Sequence, residues 1–157
     1  MALICYTDNP DPNGKPIIAG IHATYPKTKW DPKYQLPDET ASIIFGIVSI
    51  VDLTHDFQFL KTDVLLCAMG LYVPSTFRGH NVGLELLMAR EKLGKAVGIK
   101  ASVSVVTASV SQILAERAGF KVLPGMPFED LQTPDQKFIF PEIGEHTTGI
   151  KHMYKEF

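Results

Sequence analysis

The stretch Arg78-Gly79-His80-Asn81-Val82-Gly83 carries the residues of this sequence best placed to do chemistry. A long apolar run, Val64 to Val73, precedes it, and an amphipathic segment, Val82 to Val97, follows. A glycine-bearing turn between a strand and a helix aims backbone N–H groups, and the positive end of the helix dipole, at whatever stands in front of it. The chemistry this predicts is phosphate binding. His80, inside the turn, faces either the phosphate or solvent. A P-loop requires G-x-x-x-x-G-K-(S/T), which is absent. A Rossmann turn requires three glycines after an N-terminal strand and an acidic residue ~20 positions on, and it does not fit either. His22, His55 and Asp63 are further side chains that could act as bases, set against the plainer reading of structural or solvated groups.

The turn is positioned by the elements around it. Val64 to Val73 reads as a buried strand ended by Pro74, and Val82, Leu86, Ala89, Leu93 and Val97 form one stripe of a helix closed by Gly98. Upstream, Leu3 to Thr7 and Pro16 to Tyr25 read as a hairpin across the turn-rich Asp8 to Gly14. Pro26, Pro32 and Pro37 mark a loop, and Ile43, Ile44, Ile47 and Val51 recur at helical spacing from Asp38 to Leu53. Downstream, Ile99 to Val106 reads as a strand. A short helix then opens with the capping-box pattern Ser109-x-x-Gln112 and stops at Gly119. Lys121 to Leu123, Lys137 to Phe140 and Ile150 to Lys155 read as further strands. The fold class expected is α/β with a mixed central sheet flanked by helices.

Composition bounds the rest. The chain has 157 residues, 45% of them hydrophobic and 20% charged, which suits one globular domain spanning residues 1–157 with a real core. A net charge of −2 argues against an extended nucleic-acid surface. Cys5 and Cys67 lie in apolar, strand-like sequence without metal-ligand or C-x-x-C spacing, so reduced, buried thiols in a cytoplasmic protein are expected, and no metal site. No apolar run reaches the ~20 residues that span a bilayer, and the N-terminus lacks a signal-peptide pattern. Neither secretion nor membrane insertion is expected.

The turn resembles the acetyl-CoA signature of the GNAT superfamily of N-acetyltransferases, (Q/R)-x-x-G-x-(G/A), with Arg78 and Gly83 matching and Asn81 in place of the middle glycine. Leu71-Tyr72-Val73-Pro74 stands where that family has a strand whose backbone pairs with pantetheine, and Ala115 to Phe120 looks like its (Y/F)-E-K-x-G-F helix end. Within the superfamily the sequence resembles the insect arylalkylamine N-acetyltransferases, in the helical insertion before the central strand, the turn Thr107 to Gln112 and a closing strand like Lys151 to Lys155. The similarity runs from about Leu3 to the C-terminus. Two departures stand out. The family begins with a strand and one or two helices, which in the insect branch carry a glutamate base, whereas Met1 here stands almost on the hairpin, so a shortened fold is implied. Asn81 accepts the left-handed conformation of glycine, but its side chain narrows the approach of a pyrophosphate.

The resemblance implies an acetyl-CoA-dependent N-acetyltransferase acting on a small arylalkylamine such as dopamine, serotonin or tyramine. It places acetyl-CoA, as cosubstrate, on Leu71, Tyr72, Val73, Arg78, Gly79, His80, Asn81, Val82, Gly83 and Ser111. Ser111 matches a serine of the insect branch near the CoA sulfur, and Thr107 precedes it by one helical turn, so either is a candidate for proton transfer. The competing reading makes both helix-start caps. The tyrosine acid of many members is replaced by Ala115. Tyr25, Trp30, Phe45 and Phe57 could line an amine pocket or belong to the core. The alternative is a relative that binds CoA, a partner or a second copy of the chain without catalysis. Acetylation of polyamines or protein lysines is a third reading.

Overall fold

The structure is a computed structural model, and the residues described are 1–32, 53–123 and 150–157. The expected helix over 38–53, the strand Lys137 to Phe140, Pro37 and Phe45 lie outside them, apart from Leu53 itself. In chain order the elements are β1 (Ala2–Thr7), β2 (Ile17–Thr28), α1 (Leu53–Phe59), β3 (Val64–Tyr72), a 3-10 turn (Ser75–Phe77), α2 (Val82–Ala96), β4 (Ala101–Val106), α3 (Ser109–Arg117), β5 (Lys121–Val122) and β6 (Lys151–Glu156). The strands form one sheet in the order β1-β2-β3-β4-β6-β5. Among the described strands only β3 and β4 run parallel; the other pairs are antiparallel, which makes the sheet mixed as expected.

Helices cover both faces. On one side Leu87, Val106, Ala115, Ala118, Phe120 and Met153 form a buried cluster, with Leu71, Leu84 and Leu114 packed on it from β3, α2 and α3. On the other side Leu65, Cys67, Ala101 and Val103 pack against Tyr25, Phe57, Leu60 and Tyr154. The alternation of side chains along β3 and β4 sends neighbouring residues to opposite clusters, so their apolar runs are buried on both faces. Asp56 of α1 is fully buried, and its Oδ2 lies 3.1 Å from His152 Nε2, which ties α1 to β6.

Strand β2 runs past the expected end at Tyr25, through Pro26, to Thr28. The ladder explains the tolerance. Thr24 exchanges its backbone groups with Met1, so residues of its parity turn toward β1. Pro26 shares that parity but lies beyond the β1 pairing, so its missing N–H costs no ladder bond. The hairpin leaves Ile4, Tyr6 and Ile18 exposed, with 52%, 65% and 49% of their surface open.

The buried stripe of α2 is Gly83, Leu86, Leu87, Arg90 and Gly94, rotated from the expected one. Val97, placed on the stripe by hydrophobicity, is exposed. The physical reason is Arg90, a charged residue that patterning assigns to solvent but that carbonyl oxygens hold inside. Gly94 belongs to the same stripe because the Phe157 ring occupies the space where its side chain would be.

Candidate active site

The central feature is a gap between β3 and β4. Their parallel pairing is confined to Leu66↔Ser102 and Cys67↔Val103. Beyond those residues β3 continues along β2 to Tyr72, while β4 continues along β6 to Val106. A bulge in β3 accompanies the parting: Ala23 pairs with Gly70 and Thr24 with Ala68, which leaves Met69 over as an extra residue.

The ladder gives the direction of the backbone groups along this gap. Because Thr24 faces β1, Ala23 faces β3 and exchanges hydrogen bonds with Gly70. Leu71 has the opposite parity, so its N–H points away from β2 and into the gap. Leu71 and Val73 are half-buried there, and Met69 and Tyr72 are exposed.

Arg90 stands at the apex, with none of its surface exposed. Its guanidinium donates to the Leu66 and Val103 carbonyls and to Ser104 Oγ, the last two at 2.7 and 2.5 Å. Ser102 Oγ also donates to Leu66 O, at 2.7 Å. One arginine thus ties together the two strands where they separate. Burial lowers its pKa to about 10, which leaves it charged at neutral pH. The sequence reading missed Arg90; the signal was the i, i+4 series Leu86, Arg90, Gly94.

Helices α2 and α3 both begin just past the carboxyl ends of the parallel strands, so their N-termini share one edge of the sheet. In the first turn, Gly79 and Asn81 take left-handed φ angles of 82° and 61°. Asn81 is the N-cap of α2 without a side-chain cap bond, which leaves the first N–H groups of the helix directed outward. Arg78, Gly79, His80 and Asn81 are exposed, and Arg78 Nε donates to Val73 O at 3.3 Å. Val82 is half-buried. Gly83 is buried, and a methyl group there would stand 3.2 Å from Leu114 Cδ1 of α3. Its lack of a side chain therefore lets the two helices meet.

At α3 the expected capping box gives way to another arrangement. The N-cap is Ala108, in extended conformation and without a side-chain cap bond, and Ser109 is the first helical residue. Gln112, buried, donates to the Val106 carbonyl at 3.2 Å, because the end of β4 needs a partner there. Thr107 is exposed and Ser111, in the first turn, is half-buried.

The other expected site residues scatter. Tyr25 and Phe57 pack in the core. Trp30, with Lys29 above its ring, follows Thr28, which pairs with Val64 at the far end of β3 from Leu71. Asp63 pairs with Lys29 at that same end, and exposed His55 stacks on Phe59. His22 alone of the candidate bases reaches the gap region: it is 1% exposed, with Nδ1 3.0 Å from Gly70 O. Burial, and secondarily the charge of Arg90, lowers its pKa to about 4, against a raising effect of the Gly70 bond. A pKa that low makes the neutral imidazole a weak base at physiological pH, which disfavours a role as proton acceptor. A hollow of about 300 Å3 lined by Lys61, Asp63, Val64, Gly98 and Lys100 lies at the amino ends of β3 and β4, away from the gap.

No protein-family profile and no curated protein sequence matches the chain. Solved structures do. A protein of the yellow fever mosquito Aedes aegypti, described as a candidate arylalkylamine N-acetyltransferase 7, superposes with a TM-score of 0.82 at 28% identity, over 99% of this chain and 64% of its own. The Drosophila melanogaster polyamine N-acetyltransferase, which forms N-acetylagmatine, matches with a TM-score of 0.74 at 16% identity over 92% of this chain and 72% of its own. The NatB acetyltransferase complex, solved with CoA, matches at 0.54 and 13% identity over 99% of this chain and 73% of its own. The chain thus spans somewhat less than two thirds of the mosquito protein's length. Parted parallel strands, two helix N-termini at one sheet edge and these superpositions lead to one conclusion: this chain has the GNAT acetyltransferase fold and is similar, over nearly all of its own length, to the insect arylalkylamine N-acetyltransferases.

Proposed function

We propose that the chain is an acetyl-CoA-dependent N-acetyltransferase for a small arylalkylamine such as dopamine, serotonin or tyramine, acting by direct transfer as a single domain over residues 1–157. The observation that carries this reading is the Leu71 N–H directed into a gap that two helix N-termini flank. In this reading Arg78, with the turn Gly79 to Gly83 and the N–H groups at the start of α2, binds the pyrophosphate of acetyl-CoA. The edge of β3 at Leu71, Tyr72 and Val73 pairs with the pantetheine amides. Leu71 N–H donates to the thioester oxygen as it gains negative charge. The amine nitrogen attacks the carbonyl carbon, a C–N bond forms and the C–S bond breaks. Ser111, or Thr107 ahead of the α3 N-cap, passes a proton to the departing thiolate, and the amine gives up one proton in balance. The thiols suit the cytoplasm: Cys5 and Cys67 are free, and burial pushes Cys67 up to about 12, which makes it inert. Among the described residues no helix is long and apolar enough to cross a membrane.

A second reading, in which the chain binds CoA or a further polypeptide such as a second copy without turnover, draws on the exposed Ile4, Tyr6 and Ile18 of the hairpin. One assay separates them. Thiol release from acetyl-CoA with tryptamine, dopamine or agmatine is expected to proceed fastest with an arylalkylamine. Turnover no higher than that of a Ser111→Ala variant, with CoA binding retained, favours the second reading, and preference for agmatine moves the acceptor to polyamines.

A further inference from the structure

We propose that His22 is a positioning residue for acetyl transfer, holding the Gly70–Leu71 peptide so that the Leu71 N–H stays aimed into the gap between β3 and β4. The inference deepens the acetyl-transfer reading and rests on it. The peptide in question has little else to hold it. It follows the Met69 bulge, and Gly70 has no side chain and, among the described residues, nothing within 4 Å of where one would stand. Glycine is the residue whose backbone turns most freely, so an unbraced peptide here would swing. On its far side β4 has already diverged.

His22 sits across the ladder from Leu71, buried beneath α2, and its Nδ1 meets Gly70 O at 3.0 Å. A carbonyl has two lone pairs. Ala23 N–H takes one through the ladder, and His22 takes the other. In a trans peptide the C=O of one residue and the N–H of the next are fixed in one plane and point in opposite directions. Clamping Gly70 O therefore fixes Leu71 N–H. A hydrogen bond received by the carbonyl also polarises the peptide and strengthens its N–H as a donor.

The requirements on the imidazole agree with its surroundings. The proton must be on Nδ1, since Gly70 O can only accept. Nε2 is then an acceptor, and among the described residues it has no hydrogen-bond partner. A buried imidazole with one unsatisfied nitrogen is a costly way to fill a core position. Its Nδ1 bond to Gly70 distinguishes it from an aliphatic residue.

The test compares His22→Leu, which removes the donor, with His22→Asn, whose amide reaches the Nδ1 position, and His22→Gln, whose amide extends toward the Nε2 position. Two measurements are made on the whole chain: steady-state kinetics with acetyl-CoA and tryptamine, and the 15N-leucine NMR signal of the Leu71 amide with acetyl-CoA or CoA added. We expect His22→Leu and His22→Gln to lower kcat roughly ten- to a hundredfold, within the effect of losing an oxyanion donor. KM for acetyl-CoA should stay within about twofold, because the acetyl oxygen gains its charge only in the transition state. His22→Asn should recover most of kcat. The Leu71 amide should move downfield with acetyl-CoA relative to CoA in the unmodified chain and in His22→Asn, and not in the other two. If His22→Leu does not fold, the Gln and Asn pair carries the comparison. Equal losses in Asn and Gln, or a kcat unchanged by Gln, overturn the proposal. If the unmodified chain shows the Leu71 shift but no turnover, catalysis fails while the role of His22 in aiming Leu71 stands. Absence of that shift in the unmodified chain overturns the positioning role, whatever the turnover.

Discussion

Three residues carry the proposed chemistry along the edge where α2 and α3 begin, and each is expected to fail in its own way. Arg78 is exposed, and among the described residues its side chain donates to Val73 O through Nε, so the rest of its guanidinium is available to phosphate. Arg78→Ala should raise KM for acetyl-CoA about tenfold, the scale of one charge-assisted contact, and leave kcat within about threefold. Ser111→Ala should do the reverse, lowering kcat roughly ten- to a hundredfold as a proton donor is lost, with CoA affinity unchanged by calorimetry. Asn81 holds φ at 61°, where a side chain is strained. Asn81→Gly should stabilise the chain by up to about 1 kcal/mol in urea melts and lower KM for acetyl-CoA, while Asn81→Ala should destabilise it by about as much.

At the scale of elements, the gap depends on an arginine. Arg90 reaches from α2 to Leu66 O on β3 and to Val103 O and Ser104 Oγ on β4, at the residues where the two strands cease to pair. Arg90→Met keeps much of the length and removes the donors. It leaves buried acceptors without partners, and a loss of about 2 to 4 kcal/mol is expected in urea unfolding. The loss should reach function too, because the angle between β3 and β4 then has no fixed apex: kcat should fall at temperatures where the variant is still folded by circular dichroism. Phe120, whose ring lies 5.5 Å from the guanidinium, connects this network to the end of α3. The local signal for strand, turn and helix from Val64 to Val97 was strong because apolar run, punctuation and amphipathic period agree there. The rotation of the α2 stripe was not legible. A hydrophobicity pattern has no means of knowing that two strands will present carbonyl oxygens beneath position 90.

Over the whole molecule, His22 links folding to pH. Unfolded, its imidazole takes a proton near 6.5; folded, burial first and Arg90 second hold it neutral until about 4. Between those values the unfolded chain binds more protons, so stability falls as pH drops from 6.5 to 4 and is fully retained above 6.5. The His22 contribution is on the order of 3 kcal/mol, and thermal melts across that window should show it, with the slope reduced in His22→Asn. The sequence by itself determined the α/β class and the order hairpin, β3, α2, β4, α3, and it marked the turn Arg78 to Gly83 as a candidate place for a phosphate, because each of these depends on local period and turn chemistry; it did not give α1. Only the tertiary structure decided which groups converge. It took Tyr25 and Phe57 into the core and left Trp30 and Asp63 at the far end of β3. It made Gly83 the contact between two helices, carried β2 through Pro26, and turned His22 from a candidate base into a brace on Gly70. These outcomes rest on register between strands distant in sequence, and a one-residue slip would exchange every face and reverse every N–H.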